Sequence, residues 1–215
     1  MTNQTDSSII QTFRVVTEML KGRNCTYALA GGLLVSAYRE DVRATNDIDL
    51  LLFTEEKPEL VAQEILSSLG RTVTLVKLHE LKPMPLMNKK GKPAVLAVGR
   101  EPGLGIGIDF ILPAMPWFDT AIKRAQFNQI DFGFGPVPCI TVEDMILAKL
   151  FAARDKDFDD IKSILRMSAQ PKAPALDGLY LGTQIRALAI HVPTVISKMM
   201  PKPLRALVRK RLVDS

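Results

Sequence analysis

The chain has 215 residues, 47% of them hydrophobic, with two cysteines and a formal net charge of +5. That length and apolar content exclude a disordered tail and suffice for a real core, either one α/β domain with a helical extension or two small domains. Cys25 and Cys139 lie far apart with no Cys-x-x-Cys, which argues against a zinc knuckle or disulfide framework and for a reducing cytoplasm; residues 1–8 lack a secretory signal, and the uncharged run 27–38 is too short to span a bilayer.

In chain order, residues 9–20 carry the apolar spacing of an opening helix stopped by Lys21-Gly22. Residues 27–30 read as a short buried strand, and 33–38 as the helix that follows Gly31-Gly32. A glycine turn at a helix N-terminus offers N–H groups to an anion with no Cβ in the way; the same two glycines could instead serve tight strand-to-helix packing. In the next strand Ile48, Leu50 and Leu52 alternate with Asp47, Asp49 and Leu51, so the two acids share a face. Carboxylates that close repel unless a cation or donor stabilises them, and magnesium is a natural candidate because it takes carboxylate oxygens and keeps places for phosphates.

Residues 58–69 read as a helix entered by proline and ended by Gly70, 72–78 as a strand and 83–93 as a lysine-containing loop. Residues 94–98 and 105–112 form a hairpin around Arg100-Glu101-Pro102-Gly103, making the sheet mixed. On its second strand Leu104, Ile106, Ile108 and Phe110 take one face, and Gly105, Gly107 and Asp109 the other. Asp109 is therefore the candidate third acid of a two-metal site. The run Gly103 to Gly107 has neither the GxGxxG spacing nor a P-loop lysine, and reads as turn and strand.

Residues 117–126 read as helix, and 129–139, with Gly133, Gly135, Pro136 and Pro138, as an edge strand or extended passage. Thr141 with Asp144 makes an N-cap for a helix to about 153, and a second helix follows over 157–167. There Asp157 could be the N-cap, Arg154 with Asp160 a fold-supporting ion pair, and Lys149 a solvated lysine. Residues 170–174 form a linker, and 176–190 and 204–212 have helical spacing punctuated by Pro193, Pro201 and Pro203. The expected organisation is an α/β core over 1–140 and a helical C-terminal region over 141–215. Basic residues crowd at Lys82, Lys89, Lys90 and Lys92 and again at Lys198, Lys202, Arg205, Arg209, Lys210 and Arg211; both groups could meet RNA, or be solvated faces. His79 and His191 are isolated, which argues against zinc and histidine catalysis.

Gly31-Gly32, then Arg43-x-Thr45-x-Asp47-x-Asp49, then a later strand aspartate, resembles the nucleotidyltransferase superfamily that shares its fold with DNA polymerase beta. The segment 141–161, with Lys149, Arg154, Asp157 and Asp160, resembles the C-terminal motif of AbiEii-like enzymes, the toxins of type IV toxin–antitoxin systems. The resemblance implies an α/β (α+β) class: a nucleotidyltransferase-type mixed β-sheet flanked by helices, with a helical C-terminal extension. It implies transfer of a nucleoside monophosphate from an NTP to a hydroxyl, with RNA or tRNA the favoured acceptor, two Mg2+ ions (or Mn2+) as cofactors, and a cognate antitoxin as partner. Asp47 and Asp49 would hold the metal that bridges the triphosphate, and together with Asp109 a second one; Asp109 could also accept the acceptor's proton. Gly31, Gly32 and Ser36 would cradle phosphates, Arg43 and Lys149 would offset charge on the leaving pyrophosphate, and Thr45 and Asp157 would border the nucleotide. Locally, Thr45 could just shape the strand entrance, Ser36 only pack, and Arg43 be a surface arginine. Two other functions fit the same residues: a non-catalytic nucleotide-binding or interaction module, and an aminoglycoside-type small-molecule nucleotidyltransferase.

Overall fold

The computed structural model describes residues 4–39, 44–77, 95–100, 106–112, 117–171, 173 and 175–209. Arg43, the predicted loop at 83–93, the turn after Arg100 and the end of the predicted helix beyond 209 lie outside the described residues. The chain divides into two compact units, Met1–Leu34 with Ala44–Ile140, and Val35–Arg43 with Thr141–Ser215.

In the first unit, helix α1 (Gln4–Gly22) buries Ile9, Phe13, Val16 and Leu20, a three-to-four-residue spacing that puts them on one face. Strand β1 (Thr26–Ala30) leads into helix α2 (Gly31–Val35), and strand β2 (Asp47–Phe53) pairs antiparallel with β1. Helix α3 (Pro58–Ser68) starts with proline at its first turn and ends where Gly70, at φ +68°, turns the chain toward strand β3 (Thr72–Lys77). Strand β4 (Val95–Arg100) then runs antiparallel both to β3 and to strand β5 (Gly107–Ile111). The sheet order is β1-β2-β5-β4-β3, with β2 and β5 its parallel pair, so the sheet is mixed as the strand pattern predicts. Ile48, Leu50, Ile108 and Phe110 alternate into a fully buried layer. Helix α4 (Phe118–Ala125) adds Phe118, Ala121, Ile122 and Ala125 to the core.

The stretch 129–139 differs from the expected single passage. It is a small hairpin of strands β6 (Gln129–Asp131) and β7 (Pro136–Pro138), closed by the Asp131 carboxylate, which accepts N–H bonds from Gly133 at 2.7 Å and Gly135 at 3.0 Å. Both glycines have positive φ, which relieves the turn of any Cβ penalty. Phe132 and Phe134 at the tip each meet the Phe13 ring edge-on at 5.4 Å, and this aromatic anchoring folds the segment back on itself. Beyond it Cys139 bridges Leu29, and the Ile140 N–H donates to the Leu29 carbonyl, covering the outer edge of β1.

The second unit is helical: α5 (Val142–Ala152), α6 (Asp155–Ser168), α7 (Gly178–Ala187), α8 (Thr194–Met199) and α9 (Lys202–Arg209). Thr141 caps α5 as expected, its hydroxyl accepting from the Asp144 N–H, and Ala153 ends the helix in the left-handed conformation. At α6 the cap is Arg154, not Asp157. Asp157 is the third helical residue, and its carboxylate reaches back to the Arg154 N–H at 3.2 Å, as the acid of a capping box does. Asp177 caps α7 through the Tyr180 N–H, the Asp177 N–H donates to Glu143 at 2.8 Å, and the Tyr180 hydroxyl donates to Asp144 at 2.6 Å, fastening α7 to the start of α5. Helix α8, too short for its periodicity to show, forms between Pro193 and Pro201. A Cβ on Gly182 would lie 3.0 Å from Leu207, so the missing side chain is what lets α7 and α9 pack closely.

Candidate functional site

The backbone register of β2 and β5 places Asp49 directly opposite Asp109 and Asp47 opposite Gly107. Residues paired across a sheet share a face. The three acids chosen from the sequence thus lie on one face of two adjacent strands, although 60 residues separate Asp49 from Asp109. Asp47 and Asp49 are half-buried and Asp109 is 9% exposed.

The strand starts are locked where these acids emerge. The Gly107 N–H donates to the Asn46 carbonyl at 2.7 Å. Buried Arg71, which sequence reading passed over, donates to the Ile106 carbonyl at 2.9 Å from the end of α3. Thr45 takes the local role: its hydroxyl accepts from the Asp47 N–H at 3.3 Å and shapes the entrance to β2.

Gly31 has φ +63°, and a Cβ there would overlap the Asp49 carboxylate. The turn is therefore pressed against the acid, and only glycine combines that conformation with that approach. The Gly32 N–H donates to Asp49 Oδ2 at 3.4 Å. Gly31, Gly32, Thr45, Asp47, Asp49 and Asp109 are thus brought into one neighbourhood of the first unit.

Among the described residues, no three His, Cys, Asp or Glu side chains are gathered into a ready metal cage. What the fold supplies is a carboxylate-only donor set on adjacent strands, beside a turn cleared of side chains. Oxygen donors of that kind suit a hard divalent cation, Mg2+ or Mn2+, and not zinc, which favours nitrogen and sulfur.

Ser36, Lys149 and Asp157 belong to the second unit. Ser36 opens the 3-10 turn Ser36–Tyr38. Lys149 is not the solvated lysine that the sequence allowed. It is 6% exposed, and its ammonium bonds Asp160 at 2.6 Å and Asp157 at 3.3 Å. Arg154 pairs with Asp157 at 2.6 Å, not with Asp160; Asp160 is instead met by Arg39 at 2.7 Å. Among the described residues, two buried carboxylates are therefore held by three cations, at positions 39, 149 and 154. Burial alone would push the Asp157 carboxyl upward, but the Arg154 hydrogen bond and the Lys149 charge outweigh it and hold its pKa below the usual carboxylate range. The Lys149, Asp157 and Asp160 spacing signals this network in the sequence; nothing signals Arg39.

The buried Cys139 thiol is pushed up to about 12 by burial, which removes it from thiolate chemistry at neutral pH. No described helix is long and apolar enough to cross a membrane.

No protein-family model matches the chain, and no curated protein matches it. Solved structures do. The solution structure of the antibiotic-resistance factor ANT(2'')-Ia is 21% identical, with a TM-score of 0.52, over 86% of this chain and 94% of that one. The crystal structure of an antigenic nucleotidyltransferase-like protein from Paracoccidioides brasiliensis is 18% identical, with a TM-score of 0.46, over 98% and 94%. A CCA-adding enzyme in complex with ATP is 14% identical, with a TM-score of 0.37, over 94% of this chain and 51% of that one. The chain accordingly has a mixed α/β fold of the nucleotidyltransferase type.

Proposed function

We propose that the protein is a divalent-metal-dependent nucleotidyltransferase that moves a nucleoside monophosphate from an NTP to a hydroxyl acceptor, with RNA or tRNA the favoured class. The observation that carries this reading is the pairing of Asp49 with Asp109 on parallel strands, with Asp47 two residues upstream and the side-chain-free Gly31 turn against Asp49. Carboxylate oxygens gathered on one face suit a hard divalent cation.

In this reading Asp47, Asp49 and Asp109 hold Mg2+ or Mn2+, which when bound would offset charge on the triphosphate and lower the acceptor hydroxyl's pKa. Asp109 accepts the hydroxyl proton at a carboxylate oxygen. The Gly31 and Gly32 turn lets phosphate oxygens approach the backbone. Thr45 supports the site by fixing the entrance to β2. Lys149 and Asp157 are paired with each other in the structure, so they enter this reading as structural residues of the second unit and not as free charges.

A toxin role with a cognate antitoxin rests on the 141–161 motif. A second reading, transfer to a small cationic drug, is favoured by the fold shared with ANT(2'')-Ia. Incubation with magnesium, each α-labelled NTP and a whole-cell extract, then separation of RNA, protein and small molecules, tests all of these beside an Asp47→Ala/Asp49→Ala control. Label in RNA that is absent from the control supports the main reading. Label in a kanamycin-like drug added to a parallel reaction supports the second, and nucleotide binding without any label supports a non-catalytic module.

A further inference from the structure

The positive charge of this chain is segregated. Residues 178–215 carry seven Lys or Arg against one Asp or Glu, whereas residues 1–177 carry 21 against 22. Within 178–209 there is no acid at all, and no ion pair of the described residues reaches α7, α8 or α9.

The fold sorts these charges onto one side of α9. Lys202, Arg205 and Arg209 recur at i, i+3 and i+7, which aligns them along one stripe. The Arg205 guanidinium donates to the Lys198 and Met200 carbonyls, tying the end of α8 to that stripe. Lys198, Lys202 and Arg209 are exposed. The apolar side of α9 is already used: Leu204 is 1% exposed and, with Leu207, lies against Gly178 and Gly182 of α7. A basic amphipathic helix that lies in a membrane needs that apolar side free, so the stripe suits a soluble polyanion better than a lipid surface.

We propose that the α8–α9 surface, through Lys198, Lys202 and Arg209, docks the phosphate backbone of RNA. Tyr180 is the one Phe, Tyr or Trp of 178–209 and its hydroxyl donates to Asp144, while His191 lies ahead of α8. No aromatic ring stands on α8 or α9 themselves, so the contact there is electrostatic, tolerant of sequence and steep in salt. The inference rests on the transferase reading for the polymer's role as acceptor, while its binding stands by itself.

The test is fluorescence anisotropy of the full chain with a labelled tRNA transcript over a salt series, beside a labelled DNA duplex and phosphatidylserine-containing vesicles. The variant Lys198→Gln/Lys202→Gln/Arg209→Gln should bind the transcript about tenfold or more weakly, with a log–log salt slope shallower by about 2. A control with the same charge loss on exposed lysines elsewhere, Lys21→Gln/Lys57→Gln/Lys123→Gln, should stay within about twofold of the parent, separating the stripe from net charge. Equal loss in both variants, no loss in the first, or tighter binding of the duplex or vesicles than of the transcript overturns the proposal. Asp49→Asn should bind the transcript as the parent does while losing transfer, so undiminished transfer in that variant with binding intact counts against the enzymatic reading alone.

Discussion

The protein uses aspartate in two opposite ways. On β2 and β5, Asp47, Asp49 and Asp109 lie in register with one another or with glycine, on a face bordered by a turn without side chains. Between α5 and α6, Asp157 and Asp160 are almost wholly buried, and each is held by two of the chain's own cations. The second arrangement is neutralised from within and is complete as a piece of structure. The first gathers carboxylates from two strands far apart in the chain onto one face. Ion pairs account for the second group as structure, and the proposed transfer would give the first its use.

The sharpest break of that comparison is Asp49→Asn. It should abolish nucleotidyl transfer in the labelled assay while leaving the unfolding midpoint close to that of the parent; undiminished transfer would place Asp49 outside the site. Lys149→Met should do the reverse. Removing the cation between two buried carboxylates should cost about 3–5 kcal/mol in denaturant unfolding, and a loss below about 1 kcal/mol would show that the network is solvated.

Gly31→Ala tests the close approach of turn and acid. Strain at positive φ together with displacement of the Asp49 carboxylate should cost about 1–3 kcal/mol and depress transfer as well. Unchanged values in both measurements would show that the turn does not press on Asp49.

Acid sharpens the difference for Asp157. Its folded pKa is below the ordinary value, so its stabilisation is complete above about pH 4 and is lost as pH falls through the depressed folded value. The gap in midpoint between the parent and Asp157→Asn should therefore narrow on acidification below pH 4, and a gap that widens there would contradict the assignment. The smallest effect belongs to Tyr27. Its hydroxyl is buried without a hydrogen-bond partner among the described residues, and burial pushes its pKa up to about 12. Tyr27→Phe should leave stability unchanged or raise it by about 1 kcal/mol; a loss above that would reveal a partner for the hydroxyl.

Much of the first unit was legible from local pattern. Alternation over 47–52 and 106–110 identified the buried and acid-bearing faces, because a strand's side chains alternate whatever lies beside it. The Pro58 start and Gly70 stop, and in the second unit the Thr141 cap, follow from local chemistry that a few residues settle. The hairpin over 129–139 was harder to read, since its closure depends on Phe132 and Phe134 meeting Phe13 more than a hundred residues earlier. Helix α8 has six residues, fewer than two turns, and so displays no period to detect.

By itself the sequence determined the face shared by Asp47 and Asp49, the glycine turn upstream of it, and a tail of nearly unopposed positive charge. These are properties of neighbours along the chain, governed by side-chain alternation and composition. Only the tertiary structure decided that Asp109 stands opposite Asp49, that Gly31 leaves no room for a side chain beside it, and that Lys149 is spent on Asp157 and Asp160. Those outcomes depend on strand register and on ion pairs between distant residues, which form where packing brings charges together and which no local spacing encodes.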